Sequence, residues 1–187
     1  MVWIKAIAAR EISKELKKLA SPAKAKILQG FFKTGKGEYG EGDVFYGVTV
    51  PQTRAVAAKH GKQATLADVD ALLHSKIHEE RLAALLILVH QFQKGDERTR
   101  KRIYEFYWRN AGRANNWDLV DLSSHEIVGA YLEDRDKSVL RKLARSTNIW
   151  ERRIAIVSTF HFIRKGESKP TFEVAEILLH DGHDLIR

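Results

Sequence analysis

The sequence predicts an all-α fold made of repeated helical hairpins. Apolar residues recur at spacings of three and four along most of the chain, which is the period of an amphipathic helix. Only three prolines interrupt 187 residues, and that scarcity suits helices. The first helix shows the pattern clearly, with apolar positions at Ile4, Ile7, Ala8, Ile12, Leu16 and Leu19.

Related segments also recur with a period near 36 residues. Arg81, Trp117, Arg153 and Arg187 stand 36, 36 and 34 positions apart. Three of them lie in similar text: LHSKIHEERLA at 73–83, RSTNIWERRIA at 145–155 and LHDGHDLIR at 179–187. A period of this length is typical of an α-helical solenoid, a right-handed superhelix of stacked helix pairs.

The remaining pattern divides the chain into helices and short turns. Four glycines within 35–42 predict a loop, and 44–50 (VFYGVTV) could pass for a strand before Pro51 opens a helix. No linker separates two domains, so we expect 1–187 to form one domain. Helices are expected near 22–33, 52–60, 65–75, 79–93, 97–110, 116–132, 136–146, 150–164 and 171–181.

The repeat pattern predicts an incomplete last repeat. Arg81 and Arg153 are each followed by about a dozen helical residues, whereas Arg187 is the last residue. Helix 171–181 would then lack part of its apolar cover. We therefore expect residues beyond about 167 either to be less stable than the rest, a difference that hydrogen exchange would reveal, or to be covered by a neighbouring molecule.

Composition and charge narrow the classes of function. The chain carries 32 Lys+Arg against 24 Asp+Glu, a net charge of +8, which favours a polyanionic partner such as nucleic acid. The longest apolar run, 82–89, is far shorter than the roughly 20 residues that span a bilayer, and the start lacks the features of a signal peptide. No cysteine occurs, which is compatible with a cytoplasmic protein and excludes thiolate chemistry.

The segment NNWDLVD at 115–121 holds the main candidate site. Asn115 or Asn116 suits a helix N-cap, and Asp118 in the first turn suits the helix dipole. Asp121 lies beyond that turn between apolar neighbours, so it needs either a structural partner or a chemical task. Arg153, in the next repeat, is the structural alternative, because a salt bridge with it would satisfy the carboxylate.

Four segments resemble the DNA alkylation repair glycosylases of the AlkD type. They are GKGEYGEGDVFYGVTVPQTR at 35–54, NNWDLVDLSSHEIVGAYL at 115–132, NIWERRIAIVST at 148–159 and LLHDGHDLI at 178–186. They occur in the family's order over nearly all of the chain. A further tryptophan of the family follows the last segment, after the end of this sequence.

The resemblance implies a fold, an activity and roles for three residues. Members are HEAT-like solenoids that hold duplex DNA in a concave basic groove and hydrolyse the N-glycosidic bond of cationic N7- and N3-alkylpurines. Asp121 matches the catalytic carboxylate, Trp117 an aromatic packed on the DNA backbone at the lesion, and Arg153 the phosphate-contacting arginine. The implied enzyme is monofunctional, needs no metal or organic cofactor, and is expected to be a monomer.

The chemistry suits these residue types. A cationic alkylpurine leaves without a general acid. The enzyme then has two tasks, to stabilise the oxocarbenium character of the sugar and to position the attacking water. A carboxylate can stabilise the first and position the second, while an indole face favours cations. Two alternatives stay open: a non-catalytic DNA-binding member of the same superfamily, or a helical scaffold for protein partners.

Other candidate sites are weaker. His74 and His78, and likewise His180-Asp181 with His183-Asp184, could suggest metal ligands, but exposed histidines at helix ends are the simpler interpretation. Asp121, Ser124 and His125 are the three residue types of a catalytic triad. Neighbours on one helix cannot form the Ser–His–Asp chain of hydrogen bonds, so a triad is not expected. Glycines 35–42 lack the lysine of a phosphate-binding loop, so a long turn is expected.

Several aromatic residues are predicted to have structural roles. Tyr107 and Trp108 sit at core spacing, and Trp150 is expected to open its helix by packing on the previous repeat. Phe31 and Phe32 precede the loop and could line a groove.

Overall fold

The computed structural model describes residues 7–186, so the predicted helix start at Ile4 and the repeat position Arg187 lie outside the described residues. All regular structure in this range is helical, apart from one isolated bridge between Val44 and Ile77. The α-helices are α1 (Ile7–Lys18), α2 (Pro22–Phe31), α3 (Val50–His60), α4 (Leu66–Leu73), α5 (His78–Lys94), α6 (Glu97–Arg109), α7 (Trp117–Asp121), α8 (Ser138–Ala144), α9 (Ile149–Ser158), α10 (Phe160–Arg164) and α11 (Lys169–Leu178). A 3₁₀ turn spans Ala111–Arg113, and a π-helical turn spans His125–Gly129.

The structure divides into two compact units, residues 1–91 and 92–187, which are described separately. That 1–187 form one domain, in a superhelix with a concave basic groove, stays a prediction. None of the helices within 7–186 is both long and apolar enough to cross a membrane.

In the first unit, α1 packs against α3 and α4 and buries Ile12 and Leu16. Asp68 joins two of these helices: it caps α4 through Thr65 and accepts a hydrogen bond from the Ala9 amide at 3.0 Å. Burial by itself would raise the pKa of Asp68, but the hydrogen bonds from Thr65 and Ala9 outweigh it and hold that pKa below its usual value.

The chain after the glycine-rich loop is held by one buried carboxylate. Glu79, in the first turn of α5, accepts hydrogen bonds from the amides of Tyr46, Gly47 and Val48 at 2.8–3.1 Å. Gly47 has φ of 81°, and a Cβ there would lie 2.6 Å from the Ala25 amide nitrogen. The amides of residues 46–48 are therefore satisfied by a side chain instead of a sheet. Apart from the isolated bridge between Val44 and Ile77, residues 44–49 form no strand, although their sequence left one possible.

In the second unit, α9 is the central helix. It packs against α7, α8, α10, α11 and the π-helical turn, and it buries Ile154 and Ala155 completely. Leu119 from α7 and Ile127 from the π-helical turn are also fully buried. The apolar spacing of the sequence thus places these elements around α9.

The predicted helix 116–132 is interrupted, and Ser123 is the physical reason. Its hydroxyl donates a 2.5 Å hydrogen bond to the Leu119 carbonyl, the acceptor that its own amide would use in a continuous helix. The Ser123 amide bonds to Val120 instead. The chain then enters the π-helical turn, in which the Ala130 amide reaches back five residues to the His125 carbonyl.

The predicted helix 150–164 is broken in the same way at Thr159. The Thr159 hydroxyl donates to the Ile156 carbonyl at 2.6 Å, and its amide bonds to the same oxygen. Ser123 and Thr159 are 36 residues apart, one repeat period. The matching position one period earlier is Ile87, within the unbroken helix α5, so the break follows the hydroxyl side chain.

Helix α11 begins two residues before the predicted 171–181 and ends three residues earlier. It packs against α8, α9 and α10 through buried Val174 and Leu178. Phe172 and Leu179 are exposed. The expected lower stability beyond residue 167 stays a prediction.

Gly129 permits the closest approach in the second unit, and its replacement gives the first test of this packing. A Cβ at Gly129 would clash with the Ser158 carbonyl oxygen and lie 2.7 Å from Cβ of His161. Gly129→Ala should therefore lower the free energy of unfolding by about 1–3 kcal/mol, measured by denaturant titration. Gly112→Ala is the matched control, since no atom lies within 4 Å of its added Cβ. Equal stability of both variants would contradict the packing.

A buried hydrogen-bond chain gives the second test. The Tyr107 hydroxyl donates to the Ser123 hydroxyl at 3.0 Å, and Ser123 donates onward to Leu119. Ser123→Ala leaves the Tyr107 hydroxyl buried without its acceptor and should cost about 1–3 kcal/mol. The double variant Ser123→Ala with Tyr107→Phe should lose less stability than the sum of the losses in the two single variants. Strict additivity in urea unfolding would argue that the two hydroxyls are not coupled.

Candidate functional site

Helix α7 presents the NNWDLVD segment from a well-defined start. Asn116 is the N-cap: its side-chain oxygen accepts a 2.8 Å hydrogen bond from the Trp117 amide. Asp118 lies in the first turn and is buried. Both roles agree with the sequence interpretation. Trp117 is half-buried, and Asp121 lies four residues later on the same face of the helix.

Asp121 and Arg153 form a bidentate ion pair. Arg153 Nε donates to Asp121 Oδ1 and Nη2 donates to Oδ2, both at 2.8 Å. The third guanidinium nitrogen donates to the Leu185 carbonyl, so all three nitrogens are engaged. The structure thus brings together the two charged residues of the candidate site, in the salt bridge that the sequence left as an alternative to a catalytic role.

This pair differs from the comparable pair of the first unit in its access to solvent. Arg81, which matches Arg153 in the repeat alignment, donates to Asp43 at 2.6 Å, and their side chains are only 6% and 5% exposed. Asp121 is 32% exposed and Arg153 is 17% exposed. A ligand can therefore reach the second pair, whereas the first one is sealed.

A buried tyrosine lies behind the site. Burial raises the pKa of the Tyr107 phenol, and the negative charge of Asp121 raises it further. Tyr107 therefore stays protonated and serves as the hydrogen-bond donor to Ser123.

A second ion pair next to Arg153 was not foreseen from the sequence. Arg152 Nε donates to Asp181 at 2.6 Å, and Nη1 donates to the carbonyls of Ser146 and Thr147. Burial by itself would raise the pKa of Asp181, but hydrogen bonds from His183 and Arg152 hold it below its usual value. The pair joins residues 29 positions apart, so no local pattern in the sequence indicated it.

The histidine positions correct part of the sequence analysis. His74 is exposed as expected, but His78 is only 2% exposed, stacks on Phe45 and bonds to Asp43 through Nδ1 at 3.1 Å. Its burial is explained by the aromatic stack and the carboxylate, neither of which is local in sequence. Within residues 7–186, no group of three or more His, Asp or Glu could hold a metal ion.

The other candidate motifs resolve into structural roles. Residues 35–42 form turns, in which Glu38 and Glu41 bind the amides of Gly35 and Gly37. His125 Nε2 contacts the neighbouring Glu126 at 3.0 Å, and the Asp121 carboxylate is taken up by Arg153. The three side chains named as a triad therefore do not form one.

The aromatic residues divide between core and surface. Tyr107 and Trp150 are buried, as predicted. Trp108 is 36% exposed, so its assignment to the core was wrong. Helical spacing alone could not separate it from Tyr107, the next residue. Phe32 is buried on Phe45, while Phe31 is exposed and meets Phe32 edge to face.

Chemically, the arrangement offers an accessible carboxylate beside an accessible guanidinium, with an indole one turn away. A carboxylate can stabilise a developing cation, and a guanidinium can bind a phosphate in bidentate fashion. The Asp121–Arg153 pair must open, at least in part, for either group to act on a ligand.

Comparison with known proteins agrees with this fold. A predicted DNA alkylation repair enzyme from Enterococcus faecalis has a similar solved structure, with a TM-score of 0.63 and 15% sequence identity. The match covers 89% of this chain and 78% of that one. It confirms the prediction of an all-α, helical-repeat fold. No curated protein matches the sequence.

A family model provides the assignment. The model of the DNA alkylation repair enzymes matches residues 12–187, which include most of the first unit, all of the second unit and every residue of the candidate site. The resemblance found in the sequence is therefore confirmed. This chain belongs to the DNA alkylation repair enzyme family.

Proposed function

We propose that this protein is a DNA glycosylase that hydrolyses the N-glycosidic bond of cationic N7- or N3-alkylpurines in duplex DNA. The observation that carries the proposal is the partly exposed Asp121–Arg153 pair, with Trp117 one turn away on α7. Family membership supports DNA repair. The net charge of +8 suits a polyanionic substrate.

The reaction needs little from the protein beyond placement of charge. An alkylpurine with a positive ring already carries a weakened bond to the C1′ carbon of deoxyribose. When that bond breaks, its electron pair neutralises the leaving ring, so no acid has to protonate it. Water then adds to C1′ and releases a proton.

Asp121 is proposed to stabilise the positive sugar and to position or deprotonate the water. A carboxylate at this place acts through its charge on the transition state, where positive charge on the sugar is greatest. Trp117, one turn earlier, is proposed to lie against the sugar, since an aromatic face attracts cationic and C–H groups.

Arg153 connects DNA binding to the availability of Asp121. Its three guanidinium nitrogens are engaged by Asp121 and Leu185. A DNA phosphate that takes over one or two of these hydrogen bonds would free the carboxylate at the moment of binding. The same exchange would fix the register of the backbone next to the lesion.

Replacing the carboxylate tests the chemical step. Asp121→Asn keeps the side chain's size but removes its charge, so release of 7-methylguanine from alkylated duplex should fall by about 100-fold or more. Asp134→Asn, at an exposed carboxylate, is the control and should keep wild-type activity. Base release would be measured by chromatography under single-turnover conditions. A wild-type protein that releases no base above buffer, or an Asp121→Asn variant with full activity, would refute the proposal.

A pair of arginine variants tests DNA contact. Arg153→Ala should weaken duplex binding and reduce the log–log salt slope by roughly one unit, the loss of one phosphate contact. Arg152→Ala is matched to it in position and chemistry, but its partner is Asp181, and it should lower stability without changing the slope. Fluorescence anisotropy at several salt concentrations gives the slopes. An unchanged slope in Arg153→Ala would leave Arg153 as a structural residue only.

A further inference from the structure

The second unit contains a cavity whose lining does not include Trp117, Asp121 or Arg153, the residues of the proposed catalytic site. It is a cavity of about 330 Å³ lined by Trp108, Ala111, Lys142, Leu143, Ser146 and Glu151. These residues come from the end of α6, the 3₁₀ turn, the end of α8, the segment between α8 and α9, and the first turn of α9. Its volume is at the lower end of small-molecule sites, about 300–1,000 Å³.

Trp108 forms a firmly supported wall of this cavity. Its ring stacks on Tyr104, with centroids 6.4 Å apart and planes 13° apart. Tyr104 stacks in turn on Tyr131 at 4.1 Å, and the Arg135 guanidinium covers Tyr131 at 4.2 Å. Four planar groups thus follow one another, and the outermost is an indole that remains 36% exposed. Such a wall offers a flat, preorganised surface to a planar ligand.

Two opposite charges line the same cavity without pairing. Within residues 7–186, neither Lys142 nor Glu151 makes an ion pair or a side-chain hydrogen bond, although their neighbours Arg141, Arg145 and Arg152 all do. An ammonium and a carboxylate that face one cavity separately can bind an acceptor and donors on one ligand.

We propose that this cavity binds the ring of guanine. Guanine presents two adjacent donors, N1–H and the N2 amino group, which match the two oxygens of the Glu151 carboxylate. The neighbouring O6 is an acceptor for Lys142, and the purine plane stacks on Trp108. Adenine places a lone pair at N1, cytosine places one at N3, and thymine has one donor between two acceptors, so each would set a lone pair against the carboxylate.

Two sources supply this ring: a guanine nucleotide of DNA, and a guanine-type base that has been released. Alkylation at N7 leaves N1, N2 and O6 unchanged, so 7-methylguanine keeps the edge that the site recognises. This inference rests on the proposed function for one premise only, that the base on which the protein acts is a guanine derivative. Binding can be measured without any base release, so the two proposals can fail separately.

The test is calorimetric titration of the whole chain with dGMP, dAMP, dCMP and 7-methylguanine. We expect dGMP to bind with a Kd at least tenfold below those of dAMP and dCMP. Binding of 7-methylguanine as well would show that the ring suffices, whereas binding of dGMP alone would assign the site to the nucleotide. Both outcomes support a guanine site, and no preference for guanine over adenine would overturn it.

Variants identify the side chains responsible. Glu151→Gln should weaken dGMP binding about tenfold, because it turns one of the two acceptors into a donor. Glu176→Gln, at an exposed glutamate of α11, is the control and should bind as wild type does. Lys142→Met and Trp108→Leu should each weaken binding too, with circular-dichroism melting to confirm folding. Unchanged dGMP affinity in folded Glu151→Gln and Lys142→Met would overturn the assignment.

Discussion

Arginines near the starts of two helices, each bonded to a carboxylate from another element, hold the neighbouring segments in place. In the first unit Arg81 of α5 binds Asp43, and in the second unit Arg153 and Arg152 of α9 bind Asp121 and Asp181. A guanidinium with limited access to water requires an anion, so each pair fixes where its partner segment can lie. In the second unit this structural device coincides with the candidate active site. Under the proposed function, the interaction that positions α7 against α9 is also the one with which a DNA phosphate would compete.

The sequence predicted most helices because their signals are local. Asn116 caps α7 as predicted, and the apolar spacing selects the buried face. The candidate site was predicted from a pattern of longer range, because the 36-residue period placed Trp117 and Arg153 at matching positions of neighbouring repeats. The contact between Asp121 and Arg153 confirms that alignment, while the chemical task of Asp121 stays a proposal.

What the sequence missed depends on contacts between distant residues or on side chains that bond to the backbone. The breaks at Ser123 and Thr159 arise because a hydroxyl takes a carbonyl from the helix, and helical periodicity does not register that competition. His78 was expected at the surface, but Asp43 and Phe45, more than thirty residues earlier, enclose it. Trp108 was assigned to the core because helical spacing cannot tell a core position from the wall of a cavity.

The π-helical turn at His125–Gly129 allows the direction of Asp121 and the directions of the buried apolar residues to be set independently. In an α-helix each residue turns the chain by about 100°, so the direction of Asp121 would dictate the directions of Ile127 and Val128. The wider turn accommodates one extra residue and shifts that phase. Arg153 can thus fix the direction of Asp121 while the packing of Gly129 against Ser158 fixes the apolar face. With one residue fewer here, the segment could form a regular helix. Asp121 would then be rotated by about 100° around the helix axis relative to the buried Ile127 and Val128.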